Sequence, residues 1–143
     1  MNAKSPRNVV LLSLALAGGL LLALPASAAE TPEQEVGGLF QCAAALGLYQ
    51  SMGERPQSGI TEADTALAAS LTAYESQLRS RVDALAAGLG EADMKRLVAA
   101  IKADVAERIA PVKDDPQAPR KILDLYKPVL EACVVRAKAL PAA

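Results

Sequence analysis

The sequence lacks histidine and tryptophan altogether, and it has only two cysteines and one phenylalanine in 143 residues. Ser-His-Asp or Cys-His catalysis and His-ligated zinc or haem are therefore excluded, because each needs an imidazole. Two cysteines are too few for a zinc or iron–sulfur site built only from thiolates of one chain. The formal net charge of −1 gives no electrostatic basis for capturing nucleic acid, so we expect no nucleic-acid partner.

The first 29 residues have the organisation of a Sec-type signal peptide. Lys4 and Arg7 form a short positive segment, an apolar run covers residues 9–24, and Pro25 ends that run. A membrane anchor is the alternative reading, but it needs roughly 20 apolar residues. The run is shorter than that, so we predict export with cleavage and no stable membrane insertion afterwards.

Small residues at the end of this segment place the cleavage site after Ala28 or Ala29. Residues 30–143 then form one mature domain, whose length suits a single helical bundle. Loss of Lys4 and Arg7 takes away two positive charges and no negative one, which leaves a net charge of −3. We predict a periplasmic or secreted protein.

The mature chain shows helical periodicity in four segments and strand-like alternation in none. The helices are predicted over about residues 32–52, from Thr61 to the glycines near 88 and 90, over about 91–110, and from about Pro119 to near the C-terminus. Thr61 and Asp64 are spaced for a capping box. Pro128 falls inside the last stripe, so we expect a kink or a one-turn break there.

Short connections between these segments favour an all-α fold, an up-down-up-down four-helix bundle. Cys42 and Cys133 lie on the apolar stripes of the first and last helices, which are neighbours in such a bundle. An exported chain with two cysteines usually pairs them, so we predict a Cys42–Cys133 disulfide. Two buried free thiols, or one thiol used for dimerisation, are the alternatives. Neither cysteine has a plausible base nearby in sequence, so neither is predicted to be catalytic.

The other residues that could suggest a metal or haem site have simpler structural explanations. Asp114 and Asp115 form an acidic pair without the ligand spacing of a calcium loop, so we interpret them as loop and capping carboxylates. Met52 and Met94 fit core packing better than haem ligation. We therefore predict no catalytic, cofactor-binding or metal-binding residue, and no enzymatic activity.

The combination of an export signal, a short helical chain, and one cysteine early and one late resembles a broad set of small exported helical proteins of Gram-negative bacteria. That set includes acid-stress chaperones of the HdeA type and helical immunity proteins that neutralise secreted amidases. The likeness rests on size, export and cysteine placement, so it implies no role for any residue. We predict a non-enzymatic factor that binds, inhibits or protects another envelope protein. An acid- or envelope-stress chaperone is the alternative, and a homodimer is compatible with both.

Overall fold

The computed structural model describes residues 29–142, which form five α-helices and no strand. The helices are α1 (Pro32–Gly53), α2 (Glu62–Thr72), α3 (Glu75–Ala86), α4 (Glu91–Ile109) and α5 (Ala118–Lys138), with a 3-10 turn at Pro56–Ser58. The predicted all-α class is confirmed. The signal peptide falls outside the described residues except for Ala29, so it stays a prediction.

Side-chain caps set the starts of α1 and α2. Gln34 N donates to Thr31 Oγ1 at 3.2 Å, and Thr31 N donates back to Gln34 Oε1 at 2.9 Å. Asp64 N donates to Thr61 Oγ1 at 3.2 Å, and Thr61 N donates to Asp64 Oδ2 at 3.0 Å. Each reciprocal pair satisfies amides that a helix start leaves without a partner. The capping box predicted at Thr61 is confirmed.

The prediction of one helix running from Thr61 to the glycines is wrong, because the chain turns at Ala73 and Tyr74 between α2 and α3. Just before the turn, Ser70 Oγ donates to Ala66 O at 2.8 Å, and Thr72 Oγ1 donates to Ala68 O at 2.9 Å. Hydroxyls that donate to carbonyls four residues back compete with the helical amides and bend helices. The apolar period continues through this turn, which is why the pattern did not reveal it.

The helix α5 runs unbroken through Pro128, so the one-turn break offered as an alternative there is absent. Proline removes one backbone donor and leaves a carbonyl one turn earlier without its usual partner. That carbonyl belongs to Asp124, and because Asp124 and Pro128 are both exposed, water can reach it. Water thus replaces the hydrogen bond that the internal proline removes, and the buried side of α5 stays helical.

The core forms mainly between α1 and α5, which run antiparallel. Cys42 is bonded to Cys133 with a Cα–Cα distance of 5.6 Å, and Gly38 lies against Arg136, so numbers rise along one helix as they fall along the other. The largest side chains with almost no exposure are Tyr49, Leu39, Leu71, Leu123, Leu130 and Val36. Most of them come from α1 and α5, and Leu71 comes from α2.

The other helices surround α1. The segment α2–α3 as a whole runs antiparallel to α1, because Thr72 at the end of α2 bonds Gln50 at 3.4 Å and Arg81 of α3 pairs with Glu35 at 2.6 Å. The helix α4 lies beside α1 in parallel, because Arg96 pairs with Glu33 at 2.8 Å and, further along both helices, Gln41 donates to Asp104 at 3.5 Å.

The predicted four-helix bundle is not confirmed. The described residues form five helices, and α4 packs mainly on α1. A four-helix bundle would instead surround each helix with two neighbours of similar contact. None of the residues of α4 is buried, although its apolar stripe has the predicted spacing.

Candidate functional site

The two cysteines predicted to pair do form a disulfide, which joins α1 to α5. Cys42 and Cys133 are 3% and 4% exposed, so solvent and small thiols have little access to the sulfurs. Neither sulfur is available as a nucleophile or a metal ligand, because both are in the covalent bond. The cysteines are therefore a structural element that fixes the helices lining the sites described next.

A buried polar cluster centred on Asp64 connects α1, α2 and α5. Asp64 is 1% exposed. Its Oδ1 accepts a hydrogen bond from Tyr49 Oη at 2.8 Å, and its Oδ2 accepts one from Arg120 Nη1 at 2.8 Å. The hydrogen bond from Arg120, with further bonds from Thr61 and Tyr49, outweighs burial and holds the pKa of Asp64 well below its usual range.

Arg120 extends this cluster to the loop that follows α1. Its Nη1 also donates to Gly59 O at 3.2 Å, and its Nε donates to Asp124 Oδ1 at 3.0 Å. Gly59 has φ of 54°, a left-handed conformation that favours glycine. Hydrogen bonds to the carboxylates of Asp124 and then Asp64 raise the pKa of Arg120 further, so the guanidinium is always charged.

The chemistry of the Asp64 cluster favours structure over catalysis. Both oxygens of the carboxylate already accept hydrogen bonds, and its lowered pKa makes it a weak base at neutral pH. Burial and the bond to Asp64 raise the pKa of Tyr49, so its phenol stays protonated. The cluster fixes the position of α1 against α2 and α5.

The candidate binding site is an open apolar groove between α1 and the helix pair α2–α3. Its volume is about 470 Å³. The floor consists of buried side chains from three helices: Leu39, Cys42 and Leu46 of α1, Leu71 of α2, and Leu78 of α3. The turn at Ala73 and Tyr74 lies between Leu71 and Leu78, so the same turn that divides the predicted second helix shapes one wall.

The α1 wall of this groove carries no charge. Residues 36–53 contain no Asp, Glu, Lys or Arg, although α1 is partly exposed along its length. Phe40, Ala43, Gly47 and Gln50 recur at spacings of three and four and face the groove. A Cβ atom placed on Gly47 would meet nothing within 4 Å, so the groove is open at its middle.

The opposite wall has a charged rim. Arg79 and Glu75 form an exposed ion pair at 3.0 Å, and Asp83 lies one turn beyond Arg79. A second depression, lined by α1 and α2, shares Gln50 with the groove and extends it toward Ile60. Together the two depressions follow much of α1. This elongated shape, apolar along its floor and polar at one edge, suits an amphipathic segment better than a compact metabolite.

The residues singled out in the sequence for other chemistry are not brought together. Asp115 accepts hydrogen bonds from Lys121 Nζ and from Gln117 N, which makes it a capping and ion-pairing residue. Asp114 pairs with Lys113 at 3.2 Å. Among the described residues no group of three or more carboxylates and cysteines is placed to hold a metal ion. No described helix is long and apolar enough to cross a membrane.

Sequence reasoning missed both the groove and the role of Arg120. The uncharged stretch of α1 was a signal for the groove, since a solvent-exposed helix normally carries charges on its outer face. No local sequence pattern indicated the role of Arg120, because its partner Asp64 is 56 residues away. Comparison with protein-family models, with curated proteins and with solved structures finds no match to this chain.

Proposed function

We propose that this chain is an exported, non-enzymatic binding protein of the cell envelope, acting in the periplasm or after secretion. It binds an amphipathic helix of another envelope protein in the groove between α1 and α2–α3, and thereby inhibits or protects that protein. The observation that carries the proposal is the open, uncharged apolar face of α1 along Phe40, Ala43 and Gly47.

The dimensions and chemistry of the groove support a helical ligand. Helix-in-groove recognition uses apolar anchors at i, i+3, i+4 and i+7, and small groove residues allow the ligand backbone to approach closely. Ala43 and Gly47 supply such positions, and Phe40 supplies an aromatic contact of the kind enriched at binding hot spots. Asp83 forms no ion pair within the described residues, so the ligand helix is expected to place a basic side chain beside it.

The disulfide supports a role outside the cytoplasm and a preorganised site. Disulfides persist in oxidising compartments, in agreement with the predicted signal peptide. Cys42 lies in the floor of the groove, so the covalent bond to α5 holds the binding face in place. A groove that is ordered before binding avoids part of the entropy cost of association.

The test uses Gly47→Arg in tagged mature protein with its disulfide intact. The arginine side chain fills the open middle of the groove. The fold is expected to gain about 0.5–1 kcal/mol because glycine is replaced inside a helix. Ser51→Arg is the matched control, since Ser51 is exposed on α1 and does not line the groove. Pull-down from a periplasmic extract of the source organism, with a photo-crosslinker at Phe40, measures partner capture.

One or two stoichiometric partners that bind the wild-type protein and Ser51→Arg, but not Gly47→Arg, support the proposal. Equal capture by all three proteins places the interface elsewhere and overturns the groove as the binding site. No captured protein at neutral or acidic pH overturns the binding role itself.

An acid-stress chaperone is the second candidate, and the Asp64 cluster favours it. A buried carboxylate that connects three helices is a group whose protonation loosens the fold. Carboxylates titrate in the acid range, at about pH 2–4. Suppression of client aggregation in that range, but not at pH 7, supports this candidate. A broad set of clients captured only at low pH distinguishes it from a dedicated binder, and failure to suppress aggregation at low pH eliminates it.

A further inference from the structure

The helix α5 carries a second apolar stripe on the side away from the core. Its members recur at spacings of three and four and are all exposed: Leu125, Pro128, Ala132 and Val135 within the helix, and Ala139 at its C-cap. Val135 is 70% exposed and Leu125 is 43% exposed, the two most exposed large apolar side chains described. Helical geometry places this outer stripe opposite the buried stripe that includes Tyr126, Leu130 and Cys133. A helix that is apolar on both sides is normally covered on both sides.

Charges of opposite sign lie at the two ends of one flank of the outer stripe. Asp124 and Lys138 are two heptads apart on this flank. Asp124 shares Arg120 with the buried Asp64, so the three side chains together carry one uncompensated negative charge. Lys138 forms no ion pair within the described residues. At these two ends the flank complements a copy of itself that runs in the opposite direction, whereas Glu131, midway between them, would face its own counterpart.

We propose that the outer stripe of α5 is a self-association surface, on which a second copy of this chain packs antiparallel and brings each Asp124 beside the second copy's Lys138. The pairing is two-fold symmetric about a point close to Ala132. Leu125 then lies against the second copy's Ala139, and Val135 packs near the second copy's Val129. The proposal does not depend on the groove, which lies on α1, α2 and α3.

The antiparallel direction follows from the charges. In a parallel pair this flank would face the other flank of the second copy, so Asp124 would lie beside Val129 and would gain no opposite charge. A parallel pair would also need Arg136 as a partner for Glu131. Arg136 instead lies over α1, close enough that its guanidinium would be 2.6 Å from a Cβ atom on Gly38.

The packing surface is small but rigid. Pro128 and Ala132 at its centre have short side chains, so the two helix backbones can approach closely. Buried side chains, the disulfide and the Asp64–Arg120 pair hold α5 in place, so little order is lost on association. One helix–helix contact buries less than the roughly 1,200 Å² of a standard interface, so we expect a Kd in the micromolar range.

Sedimentation equilibrium of the disulfide-intact mature chain, from about 5 µM to 1 mM, tests the proposal over the range where a micromolar Kd is resolved. The wild-type protein is expected to pass from monomer to dimer. Val135→Glu is expected to weaken the dimer at least tenfold, because it places a charge in the apolar contact. Val98→Glu on α4, also an exposed valine, is the matched control and leaves dimerisation unchanged.

A substitution at Glu131 tests whether the two copies of α5 run antiparallel. In the antiparallel arrangement it faces the second copy's Glu131, so Glu131→Gln is expected to tighten the dimer by about two- to threefold. In addition, a mixture of Leu125→Cys and Ala139→Cys proteins should cross-link to each other through a short bismaleimide. Leu125→Cys by itself should not cross-link.

A chain that stays monomeric at 1 mM overturns the proposal, even if Val135→Glu then abolishes capture of some other protein. A dimer unaffected by Val135→Glu also overturns it, as does self-cross-linking through Leu125→Cys. Because Val135→Glu leaves the groove intact and Gly47→Arg leaves the outer stripe intact, this proposal and the proposed function can fail separately.

Discussion

The helices α4 and α5 have similarly regular apolar stripes but very different environments. Eight residues of α5 are buried, whereas none of α4 is. The stripe of α4, at Met94, Leu97, Ile101, Val105 and Ile109, is only half-buried throughout. The difference shows that periodicity predicts which side of a helix faces the core, but not how many neighbours cover that side.

The number of neighbours explains the contrast. The buried side of α5 faces both α1 and α2, and the disulfide and the Asp64–Arg120 pair add fixed links. The helix α4 packs mainly on α1 and is held by polar contacts at its edge, among them Arg96 with Glu33. Regions with few buried contacts open at a lower free energy than the global unfolding transition. We therefore treat α1–α5 as the stable part of the molecule and α4 as its least stable helix.

The largest loss of stability is expected when the disulfide between α1 and α5 is removed. Replacing both Cys42 and Cys133 by Ala should lower the free energy of unfolding by about 4–5 kcal/mol in the chain-entropy model, given the separation of 91 residues. Urea unfolding followed by circular dichroism measures the change, and reduced, alkylated wild-type protein is the comparison. An unchanged midpoint would contradict the central role given to this bond.

The second prediction compares the two regions directly. Leu130→Ala, at a fully buried position of α5, should cost about 3–5 kcal/mol because it removes buried methyl groups and leaves a cavity. Leu97→Ala, on the half-buried stripe of α4, should cost about 1 kcal/mol. Chemical denaturation of the two variants gives both values. Equal losses would mean that α4 belongs to the core as fully as α5 does.

The third prediction concerns the polar link between α5 and α2. Asp64→Asn keeps the side-chain shape but removes the charge facing Arg120, so it should cost about 2–3 kcal/mol at pH 7. The folded-state pKa of Asp64 lies below its unfolded value near 3.9. The carboxylate therefore stabilises the fold above about pH 4, and this contribution is lost as pH falls through the folded-state value.

Unfolding at a series of pH values from 7 to 2 measures that dependence. The stability of the wild-type protein should decline below about pH 4 and approach that of Asp64→Asn. Glu62→Gln, an exposed change in the same first turn of α2, serves as the control. Parallel pH profiles for the wild-type protein and Asp64→Asn would show that Asp64 does not carry the acid sensitivity.

The smallest stability changes are expected for two buried tyrosines, which differ in their hydrogen bonding. Tyr49 donates its hydroxyl hydrogen to Asp64, whereas the buried hydroxyl of Tyr126 has no hydrogen-bond partner among the described residues. Tyr49→Phe should cost about 1–2 kcal/mol, and Tyr126→Phe should change stability by less than about 0.5 kcal/mol or raise it. Thermal unfolding measures both. A large loss from Tyr126→Phe would mean that its hydroxyl has a bound partner such as water.

Much of the local structure was predictable from the sequence. The first helix was predicted over about residues 32–52, and α1 lies at Pro32–Gly53. The third predicted helix, over about residues 91–110, corresponds to α4 at Glu91–Ile109. These boundaries follow from Pro32, Gly90 and Pro111, whose backbone preferences act within a few residues. The turn at Ala73 and Tyr74 has neither glycine nor proline, so local signals did not reveal it.

The candidate sites depended on contacts between distant segments. Sequence placed Phe40 and Gly47 on α1, but the groove beside them forms because residues of α2 and α3 line the opposite wall. Likewise, the sequence identified Asp64 as a cap, and the packing of α5 made it the centre of a buried cluster with Arg120 and Tyr49.

By itself, the sequence determined the helical class, most helix boundaries, the cap at Thr61 and the pairing of Cys42 with Cys133. These features depend on spacing along the chain or on the presence of only two cysteines. Only the tertiary structure decided the depth of burial of each stripe, the open groove and the outward-facing stripe of α5. Burial and charge pairing depend on which surfaces meet in space, and a periodic pattern in one segment does not contain that information.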